Sequence, residues 1–198
     1  EKARSVNMPA DNIKRAIERA SGGAAAEQYE EIVYEGYGPG GVAILVEAAT
    51  DNKNRTVADV RSIFSRAGGQ LAGAGSVAWQ FEPRGVIAIA RDGADPDDIA
   101  LTAIDAGADD VDTDGGDVIE VLTGPAQLQQ LRQALEDAGV AIESAEVTMQ
   151  PRTTIEVDEQ VVRQNLRLLE QLEDLDDVQR VSANFDLPAE LLAEVAGA

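Results

Sequence analysis

Apolar residues recur along the chain in two rhythms, and the switches between them mark out its elements. Over residues 9–20, Ile13, Ala16, Ile17 and Ala20 form a stripe at helical spacing. Pro9 suits a first helical position, Asp11 sits in the positive first turn, and Gly22-Gly23 ends the helix. Two strands are expected next, at 30–36 and 41–49, joined by the turn-forming run Gly36-Tyr37-Gly38-Pro39-Gly40-Gly41. Val42, Ile44 and Val46 alternate with Ala43, Leu45 and Glu47, so the second strand is buried on at least one face. A polar connection follows, and then a helix over 56–67 carrying Val57, Val60, Ile63, Phe64 and Ala67. Gly68-Gly69 stops it. The loop Gly73-Ala74-Gly75 leads into an expected strand over 76–81, where the alternation of Val77, Trp79 and Phe81 assigns Trp79 to the core.

Residues 85–149 then alternate fully. A strand near 86–90 precedes a helix near 95–106, and two strands at 109–113 and 118–122 flank Gly115-Gly116. A helix near 125–138 and a strand near 142–149 complete the order β-α-β-β-α-β, which is that of a ferredoxin-like unit. Beyond Pro151, a helix over 159–173 and a strand over 178–185 remain, and two elements cannot form a domain alone. The expectation is an α+β chain of two domains with mixed or antiparallel sheets and packed helices. A ferredoxin-like second domain, 85–151, is inserted into a discontinuous first domain, 1–84 plus 152–198.

Charge sharpens this division. The chain carries 37 acidic and 16 basic residues, a net charge of -21. Residues 1–91 hold 11 of each sign, whereas residues 92–198 hold 26 acidic and 5 basic ones. Such a chain is no general clamp for duplex DNA, whose phosphates it repels. Any phosphate contact belongs to the neutral first part. The acidic part faces solvent or a basic protein. No apolar run is long enough to span a membrane, and no secretory leader is visible.

The chain has no His and no Cys. That removes a histidine base, a His-containing triad, thiolate chemistry and the usual zinc or iron–sulfur ligands. No cofactor and no enzymatic activity are expected. Asp109, Asp110, Asp112, Asp114 and Asp117 form the densest carboxylate cluster. Counted from Asp110, a calcium loop finds its glycine at Gly115 but Val121 where a Glu is required, so the cluster reads as an acidic hairpin tip. The glycines at 36–41 lack the Lys-Ser/Thr pair of a phosphate loop. Gly73 and Gly75 read first as a turn and second as an anion nest.

The basic and amide side chains are the better candidates for binding. Lys14 and Arg15 lie on the polar side of the first helix, and Asn52, Lys53, Asn54 and Arg55 cluster at a helix start. Cations and helix-terminal N–H groups suit phosphate oxygens, so these residues form either a phosphate-contacting surface or an ordinary solvated face. Tyr37, placed in a turn, is the candidate for stacking on a base.

Several of these segments together resemble the YebC/TACO1 family. The resemblance rests on Asn7-Met8-Pro9, Asp11-Asn12-Ile13 and Ala16-Ile17, and on Tyr34-Glu35-Gly36-Tyr37-Gly38-Pro39-Gly40-Gly41. It continues in Thr50-Asp51-Asn52-Lys53-Asn54-Arg55-Thr56, and in Gly68-Gly69 followed by Gly75-Ser76-Val77. It runs from residue 1 to about 187, with residues 92–150 matching by layout more than by motif. The sequence departs from the usual family wording at 69–75, where a more polar loop is common. The resemblance implies a basic, largely helical N-terminal domain ahead of two α+β domains, and only the last two have counterparts here. It also implies a cytoplasmic regulator of gene expression: a translation factor on the ribosome or ribosomal RNA that activates translation or relieves stalling. The alternatives are a transcriptional regulator that binds DNA, or a protein-interaction module.

Overall fold

The computed structural model describes residues 29–91, 95–113 and 118–186. The expected helix over 9–20, with Lys14 and Arg15, and the hairpin tip at 114–117 lie outside these residues.

Strands β1 (Glu30–Tyr37) and β2 (Ala43–Thr50) form an antiparallel hairpin in unbroken register from Glu30↔Thr50 to Tyr37↔Ala43. Helix α1 (Lys53–Arg66) and the short β3 (Gln70–Leu71) follow. Next come β4 (Phe81–Ala90), α2 (Pro96–Asp105), β5 (Asp110–Asp112) and β6 (Val118–Thr123). The described chain ends with α3 (Leu128–Asp137), β7 (Ile142–Pro151), α4 (Glu159–Glu173) and β8 (Val178–Ala183). This is a mixed α+β fold of two four-stranded sheets, in the orders β3-β1-β2-β8 and β5-β6-β4-β7. Every pairing between named strands is antiparallel.

The composition of β2 explains how the sheets are covered. Its Ile44 and Val46, with Val42 just ahead of it, pack against Val60, Ile63 and Phe64 of α1 and against Leu168 and Leu172 of α4. Ala43 and Leu45, pointing the other way, pack against Val77 and Phe81, with Met149 of β7 beside them. A strand apolar on both faces needs cover on both, and each large aliphatic so buried contributes about 1.5–3 kcal/mol. One face of the second sheet is filled by helices. Ile87, Ile89, Ile119 and Val121 meet Ile99 and Ala103 of α2 and Leu128, Leu131 and Leu135 of α3. Arg180 of β8 ties the sheets together by donating to the Val147 carbonyl at 2.6 Å and pairing with Glu146, both on β7.

The glycine-rich turn between β1 and β2 is a packing device. A Cβ on Gly38 would lie 2.1 Å from Oδ1 of Asn165 on α4. Gly40 has φ +75 and would meet Val161 at 2.7 Å. Asn165, fully buried, donates from Nδ2 to the carbonyls of Pro39 at 3.0 Å and Val161 at 2.9 Å. The run therefore lets the hairpin end press directly on α4.

Four expectations change. Helix α1 begins at Lys53 rather than 56, because the Asn52 side chain caps it. Residues 76–81 are not a strand: a 3-10 turn at Ala78–Gln80 breaks the period before β4 starts at Phe81. Consequently Val77 and Phe81 are buried but Trp79 is 69% exposed, not core. Tyr37 belongs to β1 rather than to the turn.

Candidate nucleic-acid or ribosome interface

The sequence 50–56 folds into a joint. The Asn52 N–H donates to the Thr50 hydroxyl at 2.9 Å, and Asn52 Oδ1 accepts the Arg55 N–H at 3.2 Å. That cap starts α1 and fixes the direction of its first turn. Arg55 then reaches back to Asp51 at 2.9 Å and across to Asp177, also at 2.9 Å. The Thr56 hydroxyl donates to Asp177 Oδ2 at 2.6 Å, and the Thr50 hydroxyl lies 3.2 Å from the same oxygen. The Asp177 carbonyl accepts the Ala49 N–H at 2.8 Å. Asp177, just before β8, is thus gripped by both ends of the motif. The Thr56 hydroxyl, then Arg55 and Thr50, hold its carboxyl below the ordinary aspartate value. The same contact with Asp177 raises the Arg55 guanidinium, so Arg55 stays charged and engaged. Lys53 pairs with Glu30 on β1. Asn54 is exposed on the same turn.

This geometry decides what the candidates have in common. Asn52, Lys53, Asn54 and Arg55 share the first turn of α1, beside a cavity of about 370 Å³ lined by Arg55, Thr56, Asp59, Leu175, Asp176 and Asp177. Three carboxylates and one guanidinium make that lining net negative. Tyr37 is not part of the group. It lies at the opposite end of the hairpin, seven strand positions from the Glu30↔Thr50 pair, or roughly 23 Å at strand rise. Its hydroxyl donates to the Ser76 carbonyl at 3.0 Å. Its polar end is therefore engaged within the fold.

A second constellation centres on a residue the sequence did not single out. Glu35 is 6% exposed. Its Oε1 accepts the Gly75 N–H at 2.6 Å, and its Oε2 accepts those of Val77 at 2.7 Å and Ala78 at 2.8 Å. Burial pushes the Glu35 pKa up, but the N–H groups of Val77, Gly75, Ala78 and Ser76 outweigh it, leaving the group below its ordinary value. The loop does form an anion nest at Gly75, which has φ +83, and its anion is the protein's own carboxylate. The sole available hint was Gly73 and Gly75 themselves.

Among the described residues, no group of three or more His, Cys, Asp or Glu is placed to hold a metal ion. No described helix is long and apolar enough to cross a membrane.

A family model described as the TACO1/YebC second and third domain matches residues 29–185. A probable transcriptional regulatory protein of Rubrobacter xylanophilus is 50% identical over 198 residues, covering 100% of this chain and 79% of the relative. Another of that name, from Chloroflexus aurantiacus, is 52% identical over 195 residues, or 98% of this chain and 77% of the relative. The crystal structure of a conserved hypothetical protein from Aquifex aeolicus superposes with a TM-score of 0.86 at 43% identity, covering 94% of this chain and 76% of that one. On sequence, layout and fold together, the chain belongs to the YebC/TACO1 family of non-enzymatic regulatory proteins.

Proposed function

We propose that this chain is a ribosome-associated translation factor of the cytoplasm, which activates translation or relieves stalling through contacts with ribosomal RNA and basic ribosomal proteins. The observation that carries this reading is the state of its cations. Lys53 and Arg55 are held by Glu30, Asp51 and Asp177, in a body of net charge -21. Such a surface repels a bare duplex but suits a ribosome, where basic proteins lie among the phosphates. Lys14, Arg15, Asn52, Lys53, Asn54 and Arg55 stay the proposed polar contacts, and Tyr37 has the weakest support among the candidates. A second reading, transcriptional regulation through DNA, is supported by the names of the curated relatives.

The two-domain reading, 1–84 plus 152–198 with 85–151 inserted, belongs to the same proposal. The order β5-β6-β4-β7, with a helix in each crossover, supports calling the inserted unit ferredoxin-like. β4 begins at Phe81, a little ahead of that boundary.

Co-sedimentation with purified ribosomes, in the presence of excess duplex DNA, tests the function. The expected result is binding that survives the competitor and weakens with Lys53→Ala, which removes the cation without setting a carboxylate against Glu30. Charge reversal at Arg55 is a poor test, because it would set a carboxylate against Asp51 and Asp177. Binding abolished by the duplex would favour the transcriptional reading. No ribosome binding, with or without DNA, would overturn the translational one.

A further inference from the structure

The inner face of α2 is ordinary and its outer face is not. Ile99 and Ala103 turn inward to the core of the second sheet. At about 100° per residue, Leu101 stands roughly 180° from the midpoint of that pair, and it is 62% exposed. Ile104, three residues on, is 57% exposed. Single apolar residues on a surface are common, but these two adjoin on successive turns and make one ridge. Asp97, Asp98 and Asp105 flank it, all exposed. Asp97 and Asp98 suit the positive first turn of the helix. Asp105 does not. It ends the helix, where the macrodipole favours a cation, and no basic residue stands in that last turn. The stability of α2 therefore explains neither the apolar ridge nor Asp105.

Around the ridge the charge has one sign. Residues 92–131 contain 11 acidic side chains and no basic one. The bases that bound this stretch turn elsewhere: Arg91 donates to the Thr113 carbonyl, and Arg132 pairs with Glu136. Arg84, reaching in from β4, is held by Asp109. This local field repels phosphate. It also disfavours a second copy of the same face, whose acids would meet their own kind across a two-fold axis. A cationic surface is what it complements. The shape narrows the choice further, because a ridge of i and i+3 side chains packs into the groove of another helix. We propose that the outer face of α2 docks an amphipathic helix of a protein partner. Leu101 and Ile104 meet its apolar stripe, and Asp97, Asp98 and Asp105 meet the lysines or arginines that flank it. That partner need not be ribosomal, so this surface stands or falls apart from the translational reading.

The test uses a labelled peptide of leucine and lysine patterned to a helical period, titrated with the whole chain and followed by anisotropy. A scrambled peptide of the same composition and a labelled oligouridine are compared with it. The patterned peptide is expected to bind most tightly. Its affinity should fall about ten-fold in the double variant Leu101→Ala with Ile104→Ala. It should fall about two- to three-fold in Asp105→Asn, an effect that fades at high salt. All three side chains are exposed, so the variants keep their thermal stability. Amide exchange on the unaltered chain gives a second reading, with protection gained over residues 96–105 when the peptide binds. Unchanged affinity in the double variant, or equal binding of the scrambled peptide, would show that acidity alone attracts the probe and would overturn the proposal. So would protection confined to other segments, or tighter binding of oligouridine. Self-association of the chain in sedimentation velocity, abolished by the same double substitution, would make a second copy the occupant and overturn it as well.

Discussion

Removing the Glu35 carboxylate gives the sharpest check on how the fold is held. Three backbone N–H groups converge on it, at 2.6, 2.7 and 2.8 Å, and hydrogen bonds to a charged group contribute about 1.5–3 kcal/mol each. Desolvation of the buried carboxylate offsets much of that sum. In Glu35→Ala both terms vanish, but the fully buried Val77 loses its partner and a side-chain void opens, so a loss of about 3 kcal/mol is expected. In Glu35→Gln the remaining oxygen still serves Val77 and Ala78, while the amide donor faces the Gly75 N–H. Gly75 is exposed and reaches water, so the loss falls to about 1–2 kcal/mol. Urea unfolding followed by far-ultraviolet circular dichroism measures the global change, and Trp79 emission reports the loop itself. A Glu35→Ala loss below about 1 kcal/mol, with unchanged emission, would refute the idea that this carboxylate organises residues 75–78.

Three further outcomes follow from the same structure. Gly38→Ala should cost about 2–4 kcal/mol by overpacking, since its Cβ would lie 2.1 Å from Asn165 Oδ1; a double-mutant cycle with Asn165→Ala in thermal unfolding should show strong non-additivity. Asp177→Asn should cost about 1–3 kcal/mol and loosen both ends of the 50–56 joint, seen as faster amide exchange in the first turn of α1. Stability should vary with pH in two stages. Glu120, raised by burial and Asp112, and Glu173, raised by burial with Glu170 and Asp174, are destabilising when ionised, so protonating them on acidification from pH 7 gives a shallow rise in Tm. Asp177 and Glu35 have lowered values, so their contribution is complete above about pH 5 and is lost as pH falls through their folded pKa values. A Tm that falls steadily from pH 7 would contradict this order.

Most elements of this chain were legible because they have a clean period; the two-residue β3 was too short to show one. The helix of α4 and the apolar run of β2 announced themselves, though not that β2 is covered on both faces, and the β-α-β-β-α-β order emerged from 85–149 without side-chain detail. Trp79 was misplaced because three alternating apolar residues imitate a strand, and nothing local reveals that a 3-10 turn resets the period. The binding candidates were half legible. Residue type and helix start located Asn52, Lys53, Asn54 and Arg55 as a group. Their neutralisation was hidden, since Asp177 lies 122 residues from Arg55. Glu35 was invisible for the same reason: its ligands are 40 to 43 residues downstream, and a lone Glu in a strand carries no signal of its own.

The place of β8 beside β2 has a consequence for how this protein is made. Ala43 is hydrogen-bonded by Asn184, 141 residues later, so the first sheet stays unfinished until nearly all of the described chain has left the ribosome. At about 5–20 residues per second, the most apolar strand of the protein waits roughly 7–28 seconds with one edge unpaired. The second sheet, built from consecutive elements between Phe81 and Pro151, can close during that wait. Its Met149 then meets Leu45 from the far side before α4 and β8 arrive. Synthesis from the N-terminus thus favours an order in which the middle of the sequence folds first and the beginning is completed last. Interrupting translation near residue 151 should leave a nascent chain that binds a holdase through β2.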